Sequence, residues 1–272
     1  MTGTLYLVST PIGNLKDMTY RAVETLQSVD VVACEDTRHS LTLLNAYGIK
    51  KPLVAYHKFN ERAESEKLVA LLEEGKSVAL VSDAGMPVVS DPGSVLVSLC
   101  IERGIPYTVL PGANAGLCAL VLSGFDASSF AFYGFLPKEA KARRALGETF
   151  VKVRSTLLFY TPPHGVAEDL NFLYKVLGAR RFAAVREISK VHESVEFGTL
   201  GGAYSLAERG EYVLVVEGAP PEENPLNAGS VEAHLEHYLS QGLGRMDAVK
   251  AVAKDRGVSK NEIYRHTLSD RS

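Results

Sequence analysis

Four polar stretches, each placed directly after an apolar run, hold the residues best suited to chemistry. They are Ser9-Thr10-Pro11-Ile12-Gly13-Asn14-Leu15, Glu35-Asp36-Thr37-Arg38, the long Ser82–Gly93 segment, and Pro111-Gly112-Ala113-Asn114-Ala115. Pro11 fixes φ and has no donor, while Gly13 permits a tight bend. Asp91-Pro92 has the form of a helix N-cap followed by a first-turn proline. Asp83 is different. It precedes Ala84-Gly85-Met86-Pro87, a poor helix start, so capping does not account for it. A carboxylate at a strand end can accept two hydrogen bonds from a ribose diol. Glu35 and Asp36 can pair with Arg38. Two further stretches are Tyr160-Thr161-Pro162-Pro163-His164 and Arg186-Glu187-Ile188-Ser189-Lys190-Val191-His192-Glu193, the second with six polar or ionisable residues in eight.

The familiar alternatives lack their motifs. No G-x-G-x-x-G follows the first apolar run, and no G-x-x-x-x-G-K-[ST] occurs. H-E-x-x-H and G-x-S-x-G are also missing. His234 and His237 have i, i+3 spacing but no third ligand, so no metal site is expected there.

The elements that must position these loops follow from periodicity. Leu5–Val8, Val31–Cys34, Leu53–Tyr56, Val78–Val81 and Tyr107–Leu110 are short β-rich apolar runs. Helical patterns such as Tyr20–Val29 and Glu61–Glu74 lie between them. Such alternation predicts a parallel sheet covered on both faces, with the loops gathered at the strand C-termini. Residues 1–120 are one expected α/β domain. Residues 121–220 are a second, with strands at Phe130–Phe135, Thr156–Tyr160, Phe182–Glu187, Val195–Leu200 and Tyr212–Val216, a basic helix over Lys138–Val153 and another over His164–Leu177. A Pro- and Asn-rich linker then leads to a helical appendage, residues 228–272, where Ser259 and Glu262 have capping-box spacing.

Composition sets the class. The chain of 272 residues has 29 Lys and Arg against 32 Asp and Glu, a net charge of −3, and 46% hydrophobic residues, which excludes wholesale disorder. No apolar run reaches the ~18 residues of a membrane span, and the N-terminus lacks a signal-peptide pattern. Three cysteines without CxxC spacing argue against a disulfide framework. The expected setting is soluble, reduced and cytoplasmic. Charge is segregated: net +4 over Gly134–Arg154, −6 over Glu208–His237 and +3 over Gln241–Ser272. Basic blocks become informative when they line one cleft.

Thr10-Pro-Ile-Gly-Asn-Leu15, Glu35-Asp-Thr-Arg38, Ser82-Asp-Ala-Gly-Met-Pro87, Ser90-Asp-Pro-Gly93 and Pro111-Gly112 together resemble the motifs of a bacterial family of small-subunit ribosomal RNA ribose 2′-O-methyltransferases, within the tetrapyrrole-methylase superfamily. Phe135-Leu-Pro137, Arg186-Glu-Ile-Ser-Lys190, His192-Glu193, Gly198-Thr-Leu200, Glu217-Gly218, Asp247-Ala-Val-Lys250 and Lys260-Asn-Glu-Ile-Tyr-Arg265 extend the resemblance over nearly the whole chain. It implies two α/β domains with a ligand cleft between them, a homodimer, S-adenosylmethionine as methyl donor, and a cytidine ribose in the decoding region of 16S rRNA as acceptor. The implied donor contacts are Thr10, Pro11, Asp83, Gly85, Met86, Val88, Asn114, Ala115, Tyr160 and Thr161. Met86 departs from the family's usual threonine, and Thr161 and Gly165 from its usual glutamate and arginine.

A ribose hydroxyl is a poor nucleophile, and a base within reach is worth roughly 10²–10⁴-fold. Glu187 and Lys190 are the leading candidates, with His192 and Asp36 also open. A lysine in that role needs a lowered pKa. Arg38, Lys138, Lys141, Arg143, Arg144, Lys260 and Arg265 are candidate phosphate contacts, which position RNA without reading bases. The reactive centre is expected between the domains, with Arg186–Glu193 facing the Pro11 and Asp83 loops. Three alternatives are a superfamily methyltransferase with a tetrapyrrole or translation-factor acceptor, a metal-dependent phosphoryl-transfer enzyme using Asp36, Asp83 and Asp91, and a non-catalytic RNA-binding module.

Overall fold

The computed structural model describes residues 2–162, 164–207, 209–220 and 224–269. Residues 1–219 form one compact unit that contains both sheets, and residues 220–272 form a second. No helix among the described residues is long and apolar enough to cross a membrane.

The first sheet is built from β1 (Leu5–Val8), β2 (Val31–Cys34), β3 (Leu53–Ala55), β4 (Val78–Val81) and β5 (Tyr107–Leu110), all parallel, in the order β3-β2-β4-β1-β5. Its helices are α1 (Tyr20–Ser28), α2 (Thr37–Ala46), α3 (Glu61–Glu73) and α4 (Ser94–Glu102). Successive side chains of a strand point to opposite faces, and both faces are apolar. Leu5, Leu7, Val78 and Leu80 pack with Leu68, Leu72, Leu96 and Cys100 of α3 and α4. Val8, Ala79 and Val81 pack with Ala22, Leu26 and Leu44 of α1 and α2. The near-continuous apolar strands are therefore a consequence of burial on both sides.

The second sheet contains β6 (Phe130–Phe135), β7 (Thr156–Thr161), β8 (Arg181–Arg186), β9 (Ser194–Thr199) and β10 (Tyr212–Val216), in the order β6-β7-β10-β8-β9. Only β6 and β7 are parallel; the other pairings are antiparallel. The intervening helices α6 (Ala140–Phe150) and α7 (Val166–Leu177) cover one face. The other face is covered by α5 (Ala115–Ser123), which follows β5 of the first sheet directly. Ala119 and Leu120 of α5 are buried against Leu158, Ala183, Val185, Val213 and Val215. Burying a leucine of this kind is worth about 1.5–3 kcal/mol, so α5 fastens the second sheet to the end of the first.

The second unit holds α8 (Val231–Ser240), α9 (Arg245–Arg256) and α10 (Lys260–Ser269). Gly257, at φ 65°, ends α9 in the left-handed conformation, and the Ser259 hydroxyl accepts the Glu262 N–H at 3.3 Å. His234 is buried for structural reasons. Its Nδ1 accepts from Arg256 Nε at 3.2 Å, which leaves Nε2–H to donate to Asp255, 3.2 Å away. Tyr238 and Asn224 also donate to Asp255.

Candidate functional site

The loops after β1, β4 and β5 are stitched together by their own polar groups. Thr10 and Gly85 exchange backbone hydrogen bonds of 2.8 and 3.1 Å, and the Thr10 hydroxyl donates to the Ser82 carbonyl at 3.2 Å. Ser9 Oγ donates to the Leu110 carbonyl at 3.0 Å. Thr10 is thus spent on holding loops together and is 1% exposed; it does not line the cavity described below, contrary to the expectation that it contacts the donor. The Val88 side chain packs on the core beneath the first sheet and is not part of the cavity wall. Its φ of 75°, with 68° at Ser90, is a genuine strain for a β-branched residue. That strain bends the chain so that Val89 and Ser90 reach the cavity.

Asp91 does not cap α4. The N-cap residue is Gly93, and the carboxylate of Glu61, on α3, accepts the Gly93 N–H at 2.8 Å and the Val95 N–H at 3.4 Å. Asp91 is left in the cavity wall. Burial first, and the neighbouring Glu35 and Asp83 carboxylates next, push its carboxyl up to about 6. Glu35 is raised by burial and by Asp83. Asp83 lines the cavity and accepts the Asp36 N–H at 3.1 Å, fixing the Glu35–Arg38 loop. Asp36 caps α2 and pairs with Arg38 at 3.0 Å; the hydrogen bonds from Arg38 hold its carboxyl at about 2. Arg38 bonds both Asp36 oxygens, Oδ1 through the backbone N–H and Nε and Oδ2 through Nη2, so neither is left open to accept a proton.

From the second sheet, the loop after β8 enters with two more strained residues, Glu187 at φ 51° and Ser189 at φ 67°. Ser189 Oγ donates to Asp17, which ties this loop to the one after β1. The same two loops meet at Gly13: a Cβ there would lie 2.3 Å from Lys190 Cγ, so only glycine lets the lysine pass. Lys190 Nζ lies 3.0 Å from Glu187 Oε1 and 2.8 Å from Glu211 Oε2. Partial burial works against the ammonium, but the hydrogen bonds to Glu211 and Glu187 outweigh it and raise the Lys190 pKa. The neutral, base-like lysine that methyl transfer would ask for is therefore not what this geometry produces. Partial burial of Glu187 is likewise outweighed, by the Glu211 N–H and Lys190, so its carboxyl is lowered and ionised at neutral pH. His192 is exposed and does not line the cavity.

The two sets of loops enclose a cavity of about 330 Å³, within the ~300–1,000 Å³ range of small-molecule sites. Asp83, Gly85, Met86, Asn114 and Ala115 line it from the first set; Tyr160, Thr161, Glu187 and Lys190 line it from the second. Pro11 does not line it; it borders a neighbouring hollow. Ile12, Phe135, Ile188 and Val213 supply apolar wall. Asn114 also caps α5, accepting the Leu117 N–H at 3.0 Å. Tyr160 is set by edge-on contacts with Phe132 and Phe135. Four carboxylates, Asp83, Asp91, Glu187 and Glu211, face one ammonium, Lys190. That balance favours a small cationic ligand with an apolar part. No group of three or more His, Cys, Asp or Glu among the described residues is arranged to hold a metal ion.

Glu211 is the residue that sequence reasoning missed. It immediately precedes β10, and antiparallel pairing of Tyr212 with Arg186 sets it beside Glu187, whose N–H donates to the Glu211 carbonyl at 3.0 Å. The basic block also needs correction. Lys138, Lys141 and Arg144 are exposed, but Arg143 is turned inward. Its guanidinium binds Asp169 at 2.5 Å and Glu168 at 2.7 Å and lies over the Phe172 ring. It is occupied by α7 and not open to phosphate. Arg38 is 90% exposed at its side chain. Lys260 and Arg265 are exposed on α10 of the second unit.

Residues 4–204 match the sequence model of the Tetrapyrrole (Corrin/Porphyrin) Methylases. The chain is 44% identical over 270 residues to a Halalkalibacterium halodurans protein named Ribosomal RNA small subunit methyltransferase I, covering 96% of this chain and 93% of the relative. It is 43% identical over 271 residues to the protein of that name from Bacillus subtilis, with the same coverages. Among solved structures, the methyltransferase CobJ matches with a TM-score of 0.62 at 18% identity, covering 80% of this chain and 95% of that one. The uroporphyrin-III-C-methyltransferase of Thermus thermophilus matches with a TM-score of 0.52 at 24% identity, over 79% and 94%. At these identities the structures share the fold.

Proposed function

Since the chain belongs to the tetrapyrrole methylase family and, within it, to the ribosomal RNA small subunit methyltransferase I group, we propose that it methylates the ribose 2′-hydroxyl of a cytidine in 16S rRNA, with S-adenosylmethionine as donor. The observation that carries the reading is the shared cavity, where strained loops of two sheets bring Asp83 and Asp91 opposite Glu187 and Lys190. The residues fit the donor's chemistry. A sulfonium with an ammonium group and a flat aromatic base, whose faces suit apolar contact, fits a site that is carboxylate-rich and apolar-walled. Gly85, at φ 84°, presents bare backbone there. Asp83, Gly85, Met86, Asn114, Ala115, Tyr160 and Thr161 are the proposed contacts. When bound, the donor supplies a methyl group already activated for in-line displacement.

What the protein adds is position, dryness and a proton acceptor. Glu187 is the proposed acceptor. Its hydrogen bonds from Lys190 Nζ and the Glu211 N–H both end on Oε1, and Oε2 would take the 2′-hydroxyl proton as the ribose oxygen gains the methyl carbon and the donor's carbon–sulfur bond breaks, the sulfur leaving as a neutral thioether. Lys190 is a positioning cation: it holds Glu187 and counters the charge that develops on the ribose oxygen. Lys138, Lys141 and Arg144 meet RNA phosphates, joined by Arg38 and by Lys260 and Arg265. We assign the protein to the cytoplasm and to a homodimer. The edge of β5 and the outer side of α5 support the latter, because Tyr107, Val109, Leu117 and Val121 are 45–77% exposed there and a second copy would bury them. Mapping ribose methylation on 16S rRNA from cells with and without this protein tests the reading. Loss of one 2′-O-methylcytidine on deletion is expected, and an unchanged map would refute it.

A further inference from the structure

Beside the donor cavity lies a second hollow of about 480 Å³. The two share Ile12, Asp83, Ala84, Lys190 and Glu211, so they meet along these residues. One wall of the hollow is the loop Pro11–Leu15. The opposite wall is a single stripe of α2: His39, Thr42, Leu43 and Ala46, at i, i+3, i+4 and i+7. Nothing in the donor reading uses this stripe.

The walls of the hollow are tied to one another. Tyr47, just after α2, donates its hydroxyl to the Leu15 carbonyl and so fastens the loop to the helix. Ser189 holds Asp17 at the loop's far end, and Lys190 lies over Gly13. Three separate ties therefore fix the two walls and the floor. The wall chemistry is mixed. Pro11, Leu15, Leu43 and Ala46 are apolar, while His39 and Asn14 are exposed and the Thr42 hydroxyl, which donates to the Arg38 carbonyl at 3.1 Å, keeps its lone pairs to accept. At the N-terminal end of the same helix Arg38 projects 90% exposed, suited to a backbone phosphate.

We propose that this hollow receives the acceptor nucleoside. Its base lies between the Leu15 loop and α2, its edge is read by His39 and Thr42, and its ribose sits at the junction where Glu187 and Lys190 meet the donor. RNA bases recognised by sequence are splayed from their neighbours, held against side-chain faces and read along their edges by hydrogen bonds, and enzymes that modify a nucleotide within a stack extrude it into a pocket. A cavity lined by apolar residues with a few polar groups, one contact away from the donor, has that form. The inference rests on the methyl-transfer reading and adds to it the residues that select the acceptor.

The test uses the full-length protein, radiolabelled S-adenosylmethionine and small ribosomal subunits from cells lacking the enzyme. Thr42→Trp fills the hollow from an exposed helix position, and His39→Ala removes an edge contact. Thr42→Trp should lower kcat/KM for the subunit by about 10²-fold, the cost of displacing a reacting group by an ångström. His39→Ala should lower it by about tenfold, chiefly through KM. The donor dissociation constant, measured by calorimetry, should stay at the wild-type value in both. Wild-type kcat/KM in a folded Thr42→Trp protein overturns the inference while leaving the methyl-transfer reading intact. Equal losses of donor affinity and turnover in both variants overturn it too, since the hollow would then belong to the donor. A wild-type protein that methylates no ribose refutes the underlying reading instead, and the variants separate the two failures.

Discussion

Asp91→Asn should make the ligand-free protein more stable at pH 8 and leave it nearly unchanged at pH 4. Burial and the Glu35 and Asp83 carboxylates raise the Asp91 carboxyl from 3.8 to about 6. A displacement of that size corresponds to about 3 kcal/mol of differential interaction between the charged and neutral forms. The sign follows from linkage. The folded state holds this proton more tightly than the unfolded chain, so the stabilisation is full below about pH 4 and is lost as pH rises through about 6. At pH 8 the ionised carboxylate is therefore a burden, and the neutral amide removes it. Partial exposure of the site reduces the gain, so about 1–3 kcal/mol is expected from urea unfolding at pH 8. The same substitution should weaken S-adenosylmethionine binding by about tenfold, because a cation beside Asp91 favours its charged form. Wild-type protein should accordingly release protons on binding donor near pH 6, visible in calorimetry as a dependence on buffer ionisation enthalpy. Equal stability changes at pH 4 and pH 8 would show that Asp91 is not under electrostatic strain, and the reasoning would fail.

Asp83→Ala should weaken donor binding and also loosen the Glu35–Arg38 loop, read by faster amide exchange at Asp36, whose N–H it accepts; wild-type donor affinity would remove Asp83 from the site. Glu187→Gln should cut turnover by about 10²–10⁴-fold with donor affinity little changed, and Lys190→Met should follow it in direction; near-normal single-turnover rates would exclude both from the chemistry. Reversing Lys141 and Arg144 to Glu should weaken RNA binding and flatten its salt dependence by about 1.4 in log–log slope, at about 0.7 per phosphate. Arg143→Met, by contrast, should destabilise the fold by about 3 kcal/mol, because it strands the buried Asp169 carboxylate; an unaltered salt slope in the first or unaltered urea stability in the second would reverse these assignments. A chain ending at Ala219 should fold and bind donor while losing most rRNA methylation, and unfolding of that chain would show that the first unit depends on the second.

The first sheet was almost wholly legible in the sequence, and for a physical reason. Its strands are buried on both faces, so Val31–Cys34 and Val78–Val81 appear as unbroken apolar runs, with every loop of interest at the strand's C-terminal end. The second sheet was legible in its elements but not in its directions. Nothing in Tyr212–Val216 tells that β10 runs antiparallel to its neighbours, and so nothing marked Glu211, immediately before it, as a partner of Lys190. Side-chain commitments were equally hidden. Arg143 and Arg144 are neighbours of the same type, yet one faces α7 and the other solvent, a difference set by helical phase against a partner that only the fold supplies. The cap of α4 came from Glu61, 32 residues away, where local rules nominated Asp91.

The order of strands in the second sheet also constrains how the chain is made. Its central strand, β10, lies between β7 and β8 but is the last of the five in sequence. As the polypeptide emerges, the first sheet has all its strands once Leu110 is available. The second sheet must wait a further hundred or so residues, with the edges of β7 and β8 unpaired in the meantime. Those edges belong to Leu157–Phe159 and Phe182–Val185, apolar residues that are all buried in the finished sheet. Synthesis that stalls before Tyr212 thus leaves a finished half joined to two sticky ribbons. Chaperone capture and proteolysis of nascent chains should concentrate on that interval, and end when Val216 completes the sheet.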